Sequence, residues 1–116
     1  MSRRYKTLRA ATEGSEADFQ KWVIDLAELH GWRVVHTPDS RTINKSMVGF
    51  PDLLMFSPNS KVILLRELKL SGGRLSAEQK QWGDYLRKGG WDYSVWRPEH
   101  KGLIQLILER EGRDVL

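Results

Sequence analysis

The sequence predicts an α/β domain: a mixed β-sheet flanked by helices, in the order α-β-β-β-α-β-α. Three observations predict it. Segments behind capping residues repeat apolar side chains at helical spacing. Short runs rich in β-branched and aromatic residues alternate with them. One of those runs, Val62-Ile63-Leu64-Leu65, is continuously apolar, as expected of a central strand buried on both faces.

The elements follow in chain order. Residues 1–14 form a basic N-terminal arm with Arg3, Arg4, Lys6 and Arg9 and little apolar periodicity. Such an arm suits a phosphate backbone, or is simply a basic terminus. The expected single domain then spans residues 15–116. Ser15 with Asp18 resembles a capping box and opens a first helix, in which Phe19, Trp22, Val23, Leu26 and His30 recur before Gly31 ends it. Glu16 and Gln20 fall on the flank of that stripe, at about 100° per residue. Glu16 is read either as a first-turn acid favouring the helix dipole or as a carboxylate facing what the helix packs on.

Trp32-Arg33-Val34-Val35-His36 reads as a strand. Residues 37–48 are polar, hold Arg41 and Lys45, and form a loop of about a dozen residues, a length often tied to function. Leu53-Leu54-Met55-Phe56 is a second strand, entered through Pro51, where proline is tolerated. Ser57-Pro58-Asn59-Ser60 has turn chemistry, so residues 61–70 return as an antiparallel third strand. Alternation places Ile63, Leu65, Glu67 and Lys69 on one of its faces. After the turn Ser71-Gly72-Gly73-Arg74, the capping box Ser76-Ala77-Glu78-Gln79 opens a second helix. Trp82, Tyr85 and Leu86 are expected inward and Gly89-Gly90 stops it. Residues 91–96 alternate as a fourth strand. Pro98-Glu99 starts a last helix, with Leu103, Ile104, Ile107 and Leu108 expected on its apolar face.

Composition narrows the function classes. A chain of 116 residues with 40% hydrophobic and 29% charged residues is long enough for one core and too apolar for disorder. The formal charge of +4 is compatible with a polyanionic partner and with mere solubility. No cysteine is present, which excludes disulfides, thiolate metal sites and cysteine nucleophiles. No apolar run approaches the ~20 residues of a membrane span, and no signal-peptide core follows the start; a cytoplasmic location is expected, that of the host cell if the protein is viral, or a nuclear one if the host has a nucleus. His36 and His100 lack the spacing of a zinc pair. His36, closing a strand near the sheet end, is read as a DNA contact or as a structural histidine.

The chemistry concentrates between Gly49 and Lys69. Asp52 follows a proline at a strand entrance, and Glu67 and Lys69 share a face at the end of the apolar strand. Two carboxylates at neighbouring strand ends can hold Mg²⁺, which favours oxygen ligands. A nearby ammonium can orient a water or stabilise charge on a phosphate. A cross-strand charge network at a sheet margin is the competing reading.

Gly49-Phe50-Pro51-Asp52-Leu53, then Arg66-Glu67-Leu68-Lys69, then Gly73-Arg74-Leu75-Ser76-Ala77-Glu78-Gln79 resembles the VRR-NUC family, a branch of the PD-(D/E)XK nucleases. Ser15-Glu16 with Gln20, the Gly31-Trp32-Arg33-Val34 segment and the closing Gly90-Trp91-Asp92-Tyr93-Ser94-Val95-Trp96 fit as well, over roughly residues 15–97. The resemblance implies a restriction-endonuclease-like fold and Mg²⁺- or Mn²⁺-dependent cleavage of DNA. It implies Glu16, Asp52, Glu67 and the main-chain carbonyl of Leu68 as metal ligands, with Lys69 as catalytic lysine and Gln79 as an active-site residue. Arg3, Arg4, Lys6, Arg9, Arg41, Lys45 and Arg74 are the candidate DNA contacts. The stand-alone members it resembles imply a homodimer that cuts branched DNA such as Holliday junctions in replication, recombination or repair. The last helix and any exposed tryptophans are candidate dimer surfaces. The alternatives are a non-catalytic nucleic-acid-binding module and a nuclease active only with a partner.

Overall fold

In a computed structural model, the protein is described over residues 14–38 and 45–113. Arg3, Arg4, Lys6, Arg9 and Arg41 lie outside those residues. The elements are α1 (Glu16–Leu29), β1 (Arg33–His36), a short 3-10 turn (Lys45–Met47), β2 (Leu53–Phe56), β3 (Ile63–Leu68), α2 (Ala77–Lys88), β4 (Asp92–Trp96), a second 3-10 turn (Pro98–His100) and α3 (Lys101–Arg110). This is the expected α-β-β-β-α-β-α order, and it is consistent with a restriction-endonuclease-like fold. None of the described helices is long and apolar enough to cross a membrane.

The sheet order is β1-β2-β3-β4. The first two pairings are antiparallel and the last is parallel, with α2 as the crossover between β3 and β4. Among the described strands, β3 is the one buried almost throughout, as its apolar run predicts. One sheet face, carrying Leu53, Met55, Leu64, Leu68 and Trp96, packs on Phe19, Val23 and Ala27 of α1 and on Ile104 and Leu108 of α3. The other face, with Leu65 and Tyr93, packs on Leu86 of α2. Three layers result, and among the described helices α2 is the one that covers the second face. Trp32 ties the first face together, its buried indole N–H donating to the Leu108 carbonyl at 2.9 Å.

Both capping boxes form. Ser15 Oγ accepts from the Asp18 N–H while Asp18 Oδ2 accepts from the Ser15 N–H. Ser76 and Gln79 do the same.

Two inward assignments are corrected. Tyr85 is 70% exposed. The inner line of α2 runs through Gly83 and Leu86 because Gly83 receives the Tyr93 ring: a Cβ there would stand 2.8 Å from Tyr93 Cε1. Turning that side inward rotates Tyr85 out. Leu103 is also exposed, with Leu106 beside it. Five apolar residues crowd positions 103–108, and one helical stripe holds only Ile104, Ile107 and Leu108.

Candidate active site

Register places the acids. In β2–β3 pairing Leu53 lies opposite Arg66, so the next row sets Asp52 opposite Glu67. Thr37 closes the row on the other side: its N–H donates to the Asp52 carbonyl at 2.9 Å, and its hydroxyl donates to the Pro51 carbonyl at 2.9 Å. The Pro-Asp step is thereby held from β1, although nothing in the sequence pattern singles out Thr37. Asp52 Oδ2 accepts the Leu68 N–H at 2.8 Å. In an extended strand a residue's N–H and C=O project to the same edge, so the Leu68 carbonyl also faces the Asp52 side.

Glu67 is 2% exposed. Its Oε2 accepts from Gln79 Nε2 at 2.9 Å, while the buried Oε1 has no hydrogen-bond partner. Burial foremost, then the adjacent Asp52 carboxylate, push the Glu67 carboxyl up to about 8; Lys69 opposes this and Glu16 adds to it. A buried polar atom without a partner is costly, and two acids at low dielectric resist joint ionisation. A cation beside them removes both penalties.

Gln79 serves two roles at once. Its amide oxygen accepts from the Ser76 N–H at 2.8 Å to complete the cap, and its amide nitrogen donates to Glu67. The cap therefore fixes which end of the amide faces the acid. Gly49 brings the helix start to this point. At φ 86° it lies so close that a Cβ would stand 2.5 Å from the Glu78 carbonyl carbon, which only glycine accommodates.

A cleft of about 610 Å³ opens at Asp52, lined among others by Glu16, His36, Thr37, Asp52, Ser76 and Gln79. Glu16 is exposed on the first turn of α1. One turn on, Gln20 Nε2 lies 3.0 Å from His36 Nε2, which clips α1 to the end of β1 and sets Glu16 at the cleft. His36 thus has a structural partner while also lining the cleft.

Among the described residues, no three His, Asp or Glu side chains are grouped closely enough to hold a metal ion. Glu16 acts on Glu67 electrostatically and lines the cleft with Asp52; the adjacent oxygen donors are the Asp52 and Glu67 carboxylates, with the Leu68 carbonyl on the Asp52 side. These fit a hard divalent cation, which binds through one or two carboxylates and keeps several waters.

Lys69 is half-buried on the Glu67 face, within electrostatic reach of that acid. The turn that follows it is held by a residue the motifs do not mark. Arg97 Nη1 donates to the Leu70 and Gly73 carbonyls, each at 2.8 Å, and Ser71 Oγ donates to Glu99 Oε1 at 2.7 Å. Arg74, at the end of that turn, and Lys45, beyond the cleft, are exposed. Arg66 points to the opposite sheet face, where it pairs with Asp92 at 2.8 Å and lies over Trp96.

The model of the VRR-NUC domain matches residues 15–99. A solved structure of a VRR_NUC domain protein is similar in fold, with a TM-score of 0.65 over 86% of this chain and 92% of that one, at 18% identity. Among curated proteins, none matches this chain. The acid pair, the Pro-Asp entrance and Gln79 all fall inside the matched span, and the chain belongs to the VRR-NUC domain family, a nuclease-type module.

Proposed function

We propose that this protein is a divalent-cation-dependent endodeoxyribonuclease that hydrolyses phosphodiester bonds in branched DNA. The observation that carries the reading is the buried Glu67 carboxyl, with one oxygen unpartnered, beside Asp52, which lines an open cleft. A core built for stability alone gains nothing from such a pair.

Asp52, Glu67 and the Leu68 carbonyl, with Glu16 from across the cleft, would hold Mg²⁺ or Mn²⁺, which would supply Lewis-acid polarisation of water and charge stabilisation at the phosphate. The chain's own groups do the rest. Gln79 holds the Glu67 carboxylate in one orientation. Lys69 presents an ammonium to the attacking water or to the phosphate oxygens. Water oxygen bonds to phosphorus as it gives one proton to solvent, the bond to the leaving oxygen breaks, and that oxygen takes one proton from solvent to depart as a hydroxyl. Lys45, Arg74 and the arm residues Arg3, Arg4, Lys6 and Arg9, with Arg41, bring cations to the DNA backbone. A two-fold homodimer would place two such sites on paired strands of a junction; the exposed Trp91 and the Leu103 and Leu106 pair of α3 are apolar surfaces available to it.

The test is a cleavage panel of four-way junction, flap, linear duplex and single-stranded DNA, with Mg²⁺, Mn²⁺ or EDTA, alongside a mass measurement in solution. The expected result is metal-dependent nicking of branched substrates that Asp52→Ala, Glu67→Ala and Lys69→Ala abolish and Glu16→Ala weakens. Full cleavage by Asp52→Ala and Glu67→Ala overturns the assignment. Salt-sensitive binding with no metal-dependent product identifies a binding module instead.

A further inference from the structure

A second groove, of about 430 Å³, lies alongside the acid cleft and shares Val48 and Glu78 with it. Trp82 and Tyr85 line it, and their aromatic series starts at Phe50, which lines the acid cleft. Phe50 meets Trp82 edge-to-face at 4.9 Å, and Trp82 meets Tyr85 at 6.1 Å with the rings 80° apart. The series climbs out of the fold: Phe50 and Trp82 are half-buried, and Tyr85 is 70% exposed. Two nearly perpendicular rings make a corner, in which a flat group laid on one ring meets the edge of the other. Rotation of α2 about the Gly83–Tyr93 contact is what sets Tyr85 there.

Beside the two rings and Val48, the lining is polar, from Lys45, Ser46, Glu78 and Gln81. An apolar protein anchor would leave those four groups desolvated. A nucleobase has a π-face for the rings and polar edges for the others, and Lys45 supplies a cation for the phosphate that accompanies it. The acid Glu78 disfavours a phosphate in the corner itself, so the base enters and the backbone stays at the rim. In duplex DNA both faces of a base are already stacked, so the corner suits an unpaired nucleotide.

We infer that the Trp82–Tyr85 corner is a stacking subsite for an unpaired base of single-stranded DNA running out of the acid cleft. The inference rests on the nuclease reading for what the neighbouring cleft holds, and it favours flap-type branches, where an unpaired nucleotide lies beside the scissile phosphate, over a fully paired four-way junction.

The test measures binding in EDTA, where no cleavage occurs, so its outcome is independent of catalysis. Fluorescein-labelled oligothymidylate and a duplex of equal length are titrated with wild type, Tyr85→Ala and Tyr85→Phe. Because Tyr85 is exposed, its replacement leaves the core intact, which circular dichroism checks. Loss of one stacked base weakens binding by about 10-fold or more. Tyr85→Ala is expected to show that loss on the single strand with duplex binding unchanged, and Tyr85→Phe to restore it. Equal single-strand affinity of Tyr85→Ala and wild type overturns the subsite, as does equal weakening on both DNAs or an absence of single-strand binding by wild type. If the cleavage panel is blank while the Tyr85 effect is present, the nuclease reading fails and the subsite stands; the opposite pattern removes the subsite alone.

Discussion

Replacing Glu67 by glutamine is expected to stabilise the metal-free protein while destroying its chemistry. The Glu67 carboxyl is held at about 8 in the folded chain against 4.5 for an ordinary glutamate, mainly by burial and secondly by Asp52. Between those values the folded protein keeps a proton that the unfolded chain has released. The folded state thus binds more protons, and unfolding free energy falls as pH rises from 4.5 to about 8, then levels. At about 1.4 kcal/mol per unit, the loss is capped at roughly 5 kcal/mol, of which roughly 3 kcal/mol is already incurred at pH 7. Glutamine never ionises, and its amide oxygen still accepts from Gln79. The assay is urea unfolding followed by tryptophan fluorescence, in EDTA, from about pH 5 to about pH 9. Wild type should lose stability across that range relative to Glu67→Gln, so that the variant is the more stable by roughly 3 kcal/mol near neutrality. Adding Mg²⁺ should raise wild-type stability most at high pH, where the carboxylate is free to ligate, and leave the variant unmoved. Parallel pH profiles for the two proteins would refute the reasoning, since the buried acid would then carry no penalty.

Three further outcomes follow from the same geometry. Gln79→Glu preserves the capping box, because glutamate serves equally at that position, but turns an acceptor toward Glu67. Helix content should be unchanged while cleavage falls by about 100-fold and its pH profile shifts upward; an unchanged profile would mean that Gln79 acts only as a cap. Gly49→Ala forces a Cβ against the Glu78 backbone at a positive φ, and thermal unfolding should report a loss of about 1–3 kcal/mol, with a neutral result showing that the segment does not press on α2. Arg97→Ala removes the donor shared by the Leu70 and Gly73 carbonyls. A stability loss of about 1.5–3 kcal/mol in urea should come with a lower kcat, as the turn after Lys69 loosens.

How far the candidate site could be read before folding depends on the residue. Asp52, Glu67 and Lys69 announce themselves because strand alternation is a local rule: an acid and a base two residues apart on a buried strand must share a face. Gln79 was visible as a cap, and its second role toward Glu67 needed the crossover that swings α2 over β3. Glu16 carried only a first-turn acid's signal; the Gln20–His36 clip that sets it at the cleft joins residues distant in sequence. Thr37 and Arg97 had no distinctive pattern at all, and Gly49 stood in the Gly-Phe-Pro-Asp motif without any sign of its contact with α2. Each acts through a backbone carbonyl or backbone contact whose partner is chosen by the fold.

The same division explains the two misplaced side chains. Periodicity names an apolar stripe on a helix but cannot rank neighbours about 100° apart, and crowded apolar positions on α3 left Leu103 ambiguous. On α2 the decision was made elsewhere, by the Tyr93 ring seeking the space above Gly83. Local sequence, through alternation, capping and turn chemistry, determined the order of elements, the strand that is buried and the three charged residues of the site. Tertiary packing alone decided how those residues meet, because register, helix rotation and the burial of Glu67 depend on contacts between segments tens of residues apart.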